Sequence, residues 1–330
     1  DVLSESKTSA ADSIAKKDTK AFWYFGKDVS VAADTGRVVS NGTVLLEKFS
    51  ARGNATASEL SLTKFSGQFL GANFEGGTKI TFETTRDIPY LLEKTGFKLA
   101  GLQAAKIFAN KQQPPVEGVF DANLSVGGSG NNVQHLFQYA TGSATVRSNG
   151  GGKIRVLDKN SAAGAGASVV GNALSIAGKL LNNRVKELGG IGELVSMLAE
   201  IDYSSAVVEL SRNNKDYNYN IDLVEMKTDS LIFRSKSGAI LFDPTVDFKE
   251  QKLDIPIVIY MSKTSRGLFQ KMGYGNTPAE ADGYYTGPEF RVKGTVSQPS
   301  NNLFEVLTSA KGAVGNAVGN ALETLNIFKR

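Results

Sequence analysis

The sequence predicts a β-rich α+β protein built on a long, twisted and mostly antiparallel sheet, shaped as a groove or open half-barrel. Three observations carry this. Apolar and polar residues alternate through many strand-sized runs, clearest in Tyr217-Asn218-Tyr219-Asn220-Ile221-Asp222-Leu223. Gly, Asn, Asp and Pro signals separate those runs. Helical periodicity is concentrated in a mid-chain insert (165–200) and a C-terminal stretch (302–328), which would partly cover the sheet. Alternation at period two gives a strand with one buried and one wet face.

Along the chain, Ser4–Lys20 is polar and alanine-bearing and predicts a short helix. Strands are expected at Ala21–Ala32, Arg37–Phe49, Ser58–Phe65, Gln68–Phe74 and Thr78–Thr84. Turn signals lie at Asp34-Thr35-Gly36, Asn41-Gly42, Arg52-Gly53-Asn54 and Glu75-Gly76-Gly77. In Ile88–Asn110, Leu91, Leu92, Leu99, Leu102 and Ile107 fall near helical spacing, which predicts a helix broken at Gly96 and Gly101. Pro114-Pro115 marks a join, giving an N-terminal β-layer with flanking helices (1–113) and a C-terminal β-domain (114–330).

Beyond the join, Gly118–Gly127 reads as a strand. A tight loop at Gly127-Gly128-Ser129-Gly130-Asn131-Asn132 follows, then a short helix at Val133–Tyr139 and strands at Gly142–Ser148 and Lys153–Asp158. The insert carries one apolar stripe through Val170, Ala173, Leu174, Ala177, Leu180 and Leu181 and a second through Val185, Leu188, Leu194, Val195 and Leu198. Strands recur at Ala206–Ser211, Tyr217–Met226, Ser230–Ser235, Ala239–Asp243, Thr245–Lys249 and Leu253–Met261, close enough together for a meander. A loop (263–286) leads to Phe290–Val296. Asn302 and Glu305 then have the spacing of a capping box at the start of the terminal helix, where Gly315 and Gly319 suit close packing on the sheet.

Composition excludes several classes. At 41% hydrophobic and 21% charged, the 330 residues are globular. The 37 basic and 33 acidic residues are too balanced for a nucleic-acid footprint, so no nucleic-acid partner is expected. The absence of cysteine removes disulfides, thiolate metal sites and cysteine nucleophiles. The chain has no apolar run of the roughly 20 residues that span a bilayer. It starts at Asp1, which gives the expectation of a piece whose targeting or membrane segment lies upstream.

Catalytic signatures are missing. His135 is the lone histidine and sits in the predicted short helix, so a Ser–His–Asp triad or a histidine metal site would have to use it. Gly150-Gly151-Gly152-Lys153 lacks the spacing and the Ser/Thr of a phosphate loop, and Gly164-Ala165-Gly166 lacks the third glycine of a dinucleotide loop. Asp243 and Asp247 are the carboxylate pair weighed for glycan hydrolysis, but acidic residues beside strand turns are common. The expectation is a protein that is not an enzyme and needs neither cofactor nor metal.

Three stretches resemble the C-terminal region of the AsmA family, bacterial envelope proteins related to repeating-β-groove, bridge-like lipid-transfer proteins. They are the strand–turn–strand pieces within Leu45–Phe82; Gly118 to Gly130 with Leu136 and Gly142-Ser143-Ala144-Thr145-Val146; and Phe290-Arg291-Val292-Lys293-Gly294-Thr295-Val296-Ser297-Gln298-Pro299. The resemblance implies a non-enzymatic periplasmic envelope-biogenesis protein whose partner is phospholipid or another acyl lipid. It also implies that the full-length protein is membrane-anchored through a segment absent from this sequence. The apolar side predicted to meet lipid is contributed by Tyr219, Ile221, Leu223, Ile255, Ile257 and Ile259. Two alternatives stay open: the two helical stretches plug the same face, or the chain is a structural or protein-binding scaffold engaged through strand edges or Tyr274, Tyr284 and Tyr285 of the long loop.

Overall fold

The computed structural model describes residues 17–40, 43–107, 114–155, 198, 200–213, 218–243, 245–247, 250–270 and 273–308. The predicted helix at Ser4–Lys20 up to residue 16, the insert stripes apart from Leu198, and the terminal helix after residue 308 lie outside them. The chain is β-rich, as the alternation predicts, and a 14-stranded sheet follows chain order as a meander. Every pairing given below is antiparallel.

Two compact units share the chain: residues 1–100, 122–144 and 211–217 in one, and residues 101–121, 145–210 and 218–330 in the other. Several strands contribute residues to both units. The first unit is built on β1 (Val29–Ser40), β2 (Thr43–Ala55), β3 (Glu59–Phe69), β4 (Ala72–Phe82) and β5 (Tyr90–Gln103). To these it adds most of β7 (Val119–Gly130), the short helix α2 (Val133–Gln138) and the first half of β8 (Thr141–Ser148). The second unit holds α1 (Ala104–Ile107) and a three-stranded sheet of β6 (Val116–Glu117), β9 (Gly152–Ile154) and β10 (Ile201–Tyr203). It continues with β11 (Ser205–Arg212), β12 (Tyr219–Lys227), β13 (Leu231–Ser235), β14 (Gly238–Leu241) and β15 (Lys252–Met261). Helix α3 (Arg266–Gln270), β16 (Tyr285–Gly294), β17 (Pro299–Asn301) and α4 (Leu303–Thr308) complete it.

Several expectations are corrected. The Ile88–Asn110 stretch is not a broken helix where it is described: Tyr90–Gln103 is a strand paired along β4, and among the described residues only Ala104–Ile107 is helical. Its leucines serve a sheet because β4 supplies the cross-strand partners that local spacing cannot reveal: Ile80 faces Leu92 and Phe74 faces Leu99. Ser58–Phe65, Gln68–Phe74 and Thr78–Thr84 are two long strands rather than three, with the turn at Leu70-Gly71. Both turn residues have positive φ, 50° and 80°, the mirror-image turn geometry that matches strand twist. Asp34-Thr35-Gly36, Arg52-Gly53-Asn54, Gly76-Gly77 and Gly127-Gly128-Ser129-Gly130 lie within strands rather than at turns. Thr245–Lys249 is not a strand where it is described.

The strand expected from Ala21 starts only at Val29, because Ala21 and Trp23 are spent on the core of the first unit. There Tyr90, fully buried, donates its hydroxyl to Asp18 (2.8 Å) and accepts the Phe22 amide (3.1 Å). Burial, then the Asp18 bond, pushes that phenol well above its ordinary range. Ile80, Phe82, Leu92 and Leu136 close the cluster. The Asn302 side chain accepts from the Arg291 amide (2.7 Å), and Asn301 accepts from Leu303 (3.1 Å) at the start of α4.

Candidate functional site: the apolar faces of the sheet

Residues opposite one another in an antiparallel pair share a face, so register traces each face across strands. In the second unit Met226 faces Phe233 and Phe233 faces Ile259, while Ile257 faces Phe290 and Ile255 faces Val292. Alternation along β15 therefore places Ile255, Ile257 and Ile259 on one face. Tyr219 reaches that face through Ile240 and Leu253. Ile221 reaches it through Gly238, where a Cβ would stand 2.9 Å from Ile255 Cγ2. Ile221 and Met226 share the face although their parities differ, so alternation slips once between them, opposite the break between β13 and β14. Leu223 falls in that slip.

At the six residues predicted to meet lipid, this face is closed at Ile259 and Ile221 and half-buried elsewhere. Ile259 is fully buried in a cluster with Leu198, Phe269 of α3, and Leu303 and Leu307 of α4. Ile221 is 3% exposed. Tyr219, Leu223, Ile255 and Ile257 are half-buried, with Tyr219 edge-on to Phe242 at 5.8 Å. The 263–286 segment is pinned rather than loose. Arg266 lies 4.0 Å over the Tyr285 ring and donates to the Gly275 carbonyl (2.7 Å). Arg234 joins Glu225 (3.0 Å) to Asp282 (2.8 Å).

The first unit presents a different face. Ala51 faces Phe65, Phe65 faces Gly76 and Gly76 faces Phe97; one row along, Gly67 faces Phe74 and Phe74 faces Leu99. The rings of Phe49, Phe65, Phe74 and Phe97 form a run with centroid separations of 5.7 to 6.5 Å. Such spacing suits tilted and offset aromatic contact. Small residues make room for the rings. A Cβ at Gly76 would lie 2.5 Å from both the Phe65 ring and the Gly96 carbonyl oxygen, so only glycine fits beneath. Phe49, Phe65 and Phe97 remain half-buried, and none of the four rings belongs to either packed cluster. The opposite face is polar, with Asp34, Ser50, Ser66, Glu75 and Lys98 in one cross-strand row.

An irregularity keeps the two faces sorted. Leu46 and Ala51 both lie on the phenylalanine side although they have opposite parity. The register shifts between Glu47 and Ser50, where Lys48 adopts φ 52°, a bulge that resets the alternation. Near the rings an open cleft of about 530 Å3 is lined by Lys64, Glu75, Gly96, Phe97, Lys98 and Asn123 among others. Its Glu75 and Lys98 belong to the polar row.

The sequence reading did not single out this phenylalanine run. A signal was present: Phe65-Ser66-Gly67 and Phe74-Glu75-Gly76 each place an aromatic and a glycine on one face of a strand. The polar residues weighed for chemistry are engaged structurally. His135 sits in α2, edge-on to Tyr139 at 5.1 Å, and its amide donates to Asn132. Asp243 caps its own turn by accepting from the Thr245 amide (2.8 Å) and hydroxyl (2.7 Å), which holds its carboxyl below the usual range. Among the described residues no group of three or more His, Cys, Asp or Glu could hold a metal ion, and no helix is long and apolar enough to cross a membrane. No protein-family model, curated protein or solved structure matches the chain.

Proposed function

We propose that this chain is a non-enzymatic binding protein of the bacterial envelope that holds acyl chains of phospholipid or a related lipid against the apolar side of its sheet. The observation that supports it most is the run of Phe49, Phe65, Phe74 and Phe97 over Gly67 and Gly76, with Phe74 buried, the other three rings half-buried and all four outside both packed clusters. A flat aromatic and glycine surface suits hydrocarbon because it offers area without a hydrogen-bond pattern to satisfy. Each methylene covered contributes roughly 0.8 kcal/mol. The first unit thus becomes the primary lipid contact. The face carrying Tyr219, Ile221, Leu223, Ile255, Ile257 and Ile259 is secondary, since Ile259 already has a protein cover. The envelope setting and a membrane anchor elsewhere in the full-length protein follow from the AsmA resemblance.

Native mass spectrometry of chain purified without detergent tests the reading. Retained lipid adducts are expected in the wild type, with a several-fold loss in Phe65→Ser/Phe97→Ser. Adducts unchanged in that variant would move the contact elsewhere, and no adduct even after loading with fatty acid would favour the ligand-free scaffold.

A further inference from the structure

We infer that β1 is a docking edge for a second copy of this chain, joined antiparallel to its own β1 so that the sheet continues across a two-fold axis. Among the described residues β1 ends the strand order, with β2 on one side only. It is twelve residues long, about 40 Å of extended backbone, whose outward amides and carbonyls have no ladder partner among the described residues. Only another extended backbone matches such a row, so the edge itself specifies a strand as its partner. Short edges, prolines and inward-pointing charges are the usual protections against pairing. The opposite end of the sheet has them in β17, three residues long and starting at Pro299. In β1 there is no proline, and Val38 and Val39 are 42% and 52% exposed.

The side chains favour a second copy over an arbitrary strand. Ala33 and Val38 both lie on the phenylalanine side, through Ala51 and Leu46, whereas Asp34 and Arg37 both lie on the polar side, through Ser50 and Glu47. The alternation of β1 therefore slips near its midpoint, at Thr35-Gly36. A strand with a central slip matches itself when paired antiparallel about that point. Ala33 then faces the second copy's Val38, and Asp34 faces the second copy's Arg37, twice by symmetry. Two-fold self-pairing of this kind makes a closed dimer rather than a fibre. In that register residues 31–40 overlap, with room for about ten backbone hydrogen bonds.

The experiment is sedimentation of the full chain over a range of concentrations. A reversible dimer is expected for the wild type. Asp34→Lys and Arg37→Glu each place like charges opposite one another and should raise the dissociation constant about tenfold or more. Mixing the two variants should restore the dimer, since the introduced lysine of one then meets the introduced glutamate of the other, and the remaining native Arg37 meets the remaining native Asp34. Because Asp34 also binds Arg52 (2.7 Å), melting curves of both variants accompany the measurement. A second readout uses the cysteine-free background: Ala33→Cys mixed with Val38→Cys should oxidise to a covalent dimer, and neither alone should. A wild type that stays monomeric, a dimer indifferent to both charge changes, or Ala33→Cys cross-linking to itself would overturn the inference.

Discussion

The two units use the same two-residue rhythm and finish it differently. In the second, the apolar face meets helix: Leu303 and Leu307 of α4, Phe269 of α3 and Leu198 lie over Ile259 and Phe233, and the rows become a core. In the first, four phenylalanine rings run across adjacent strands over Gly67 and Gly76, and among the described residues they belong to neither packed cluster. A one-sided sheet therefore does not decide whether its apolar face is a core or a surface. The elements laid over it decide, and so does whether the side chains can shield one another.

That contrast is testable by substitution, in descending order of effect. Ile259→Asp places a carboxylate in a fully buried site without a partner and should cost more than about 4 kcal/mol, unfolding the second unit in a denaturant titration. Ile257→Asp, half-buried on the same strand, should destabilise clearly less; equal effects would mean that this face is closed along its whole length. In the first unit, Phe97→Ala should cost well below the roughly 3–5 kcal/mol of a core phenylalanine, because its ring is part-exposed, while reducing lipid retention. A full core penalty there would make the phenylalanine run an ordinary core.

A pH effect is expected in the three-stranded sheet of the second unit. Glu200 accepts from Lys153 (2.7 Å) and Arg155 (3.1 Å), and the Lys153 bond, ahead of the other charges, holds its carboxyl below the ordinary range. Burial opposes the Arg155 charge, yet Glu117 and Glu200 outweigh it. A depressed folded pKa means that stabilisation is present above the unfolded value and is lost as pH falls through the folded one. Hydrogen exchange of β9 and β10 should accelerate on acidification through that window, and Glu200→Gln should flatten the response. The smallest effect is expected at Lys48. A left-handed non-glycine residue costs about 1–2 kcal/mol, and glycine gives back roughly half of that in entropy. Lys48→Gly should therefore raise the melting midpoint slightly; a fall would mean that the lysine side chain stabilises the bulge.

The alternation in β12, β15 and β16 was legible because each strand has apolar residues at every second position over several residues. Two kinds of feature were not. Glycines read as turns at Arg52-Gly53-Asn54 and Gly76-Gly77 proved to be strand positions, since what requires glycine at position 76 is a ring and a carbonyl from neighbouring strands. Local sequence cannot display those neighbours. Likewise the leucines of Tyr90–Gln103 fit helical spacing as well as a strand, and only pairing with β4 decides between them. The true turn at Leu70-Gly71 carried half its usual signal, with leucine where asparagine or aspartate is common. For the site, the isoleucine face was visible as pattern. The phenylalanine run depends on register between four strands, which the sequence does not state.

The most direct test is photo-cross-linking of the wild-type chain with a diazirine-bearing fatty acid, mapped by peptide mass spectrometry. Labels concentrated on the peptides carrying Phe49, Phe65, Phe74 and Phe97, with few on the Ile255–Ile259 strand, are the predicted result. Labelling confined to the isoleucine strand, or scattered over the polar face, would contradict the assignment of the phenylalanine surface as the place where lipid sits.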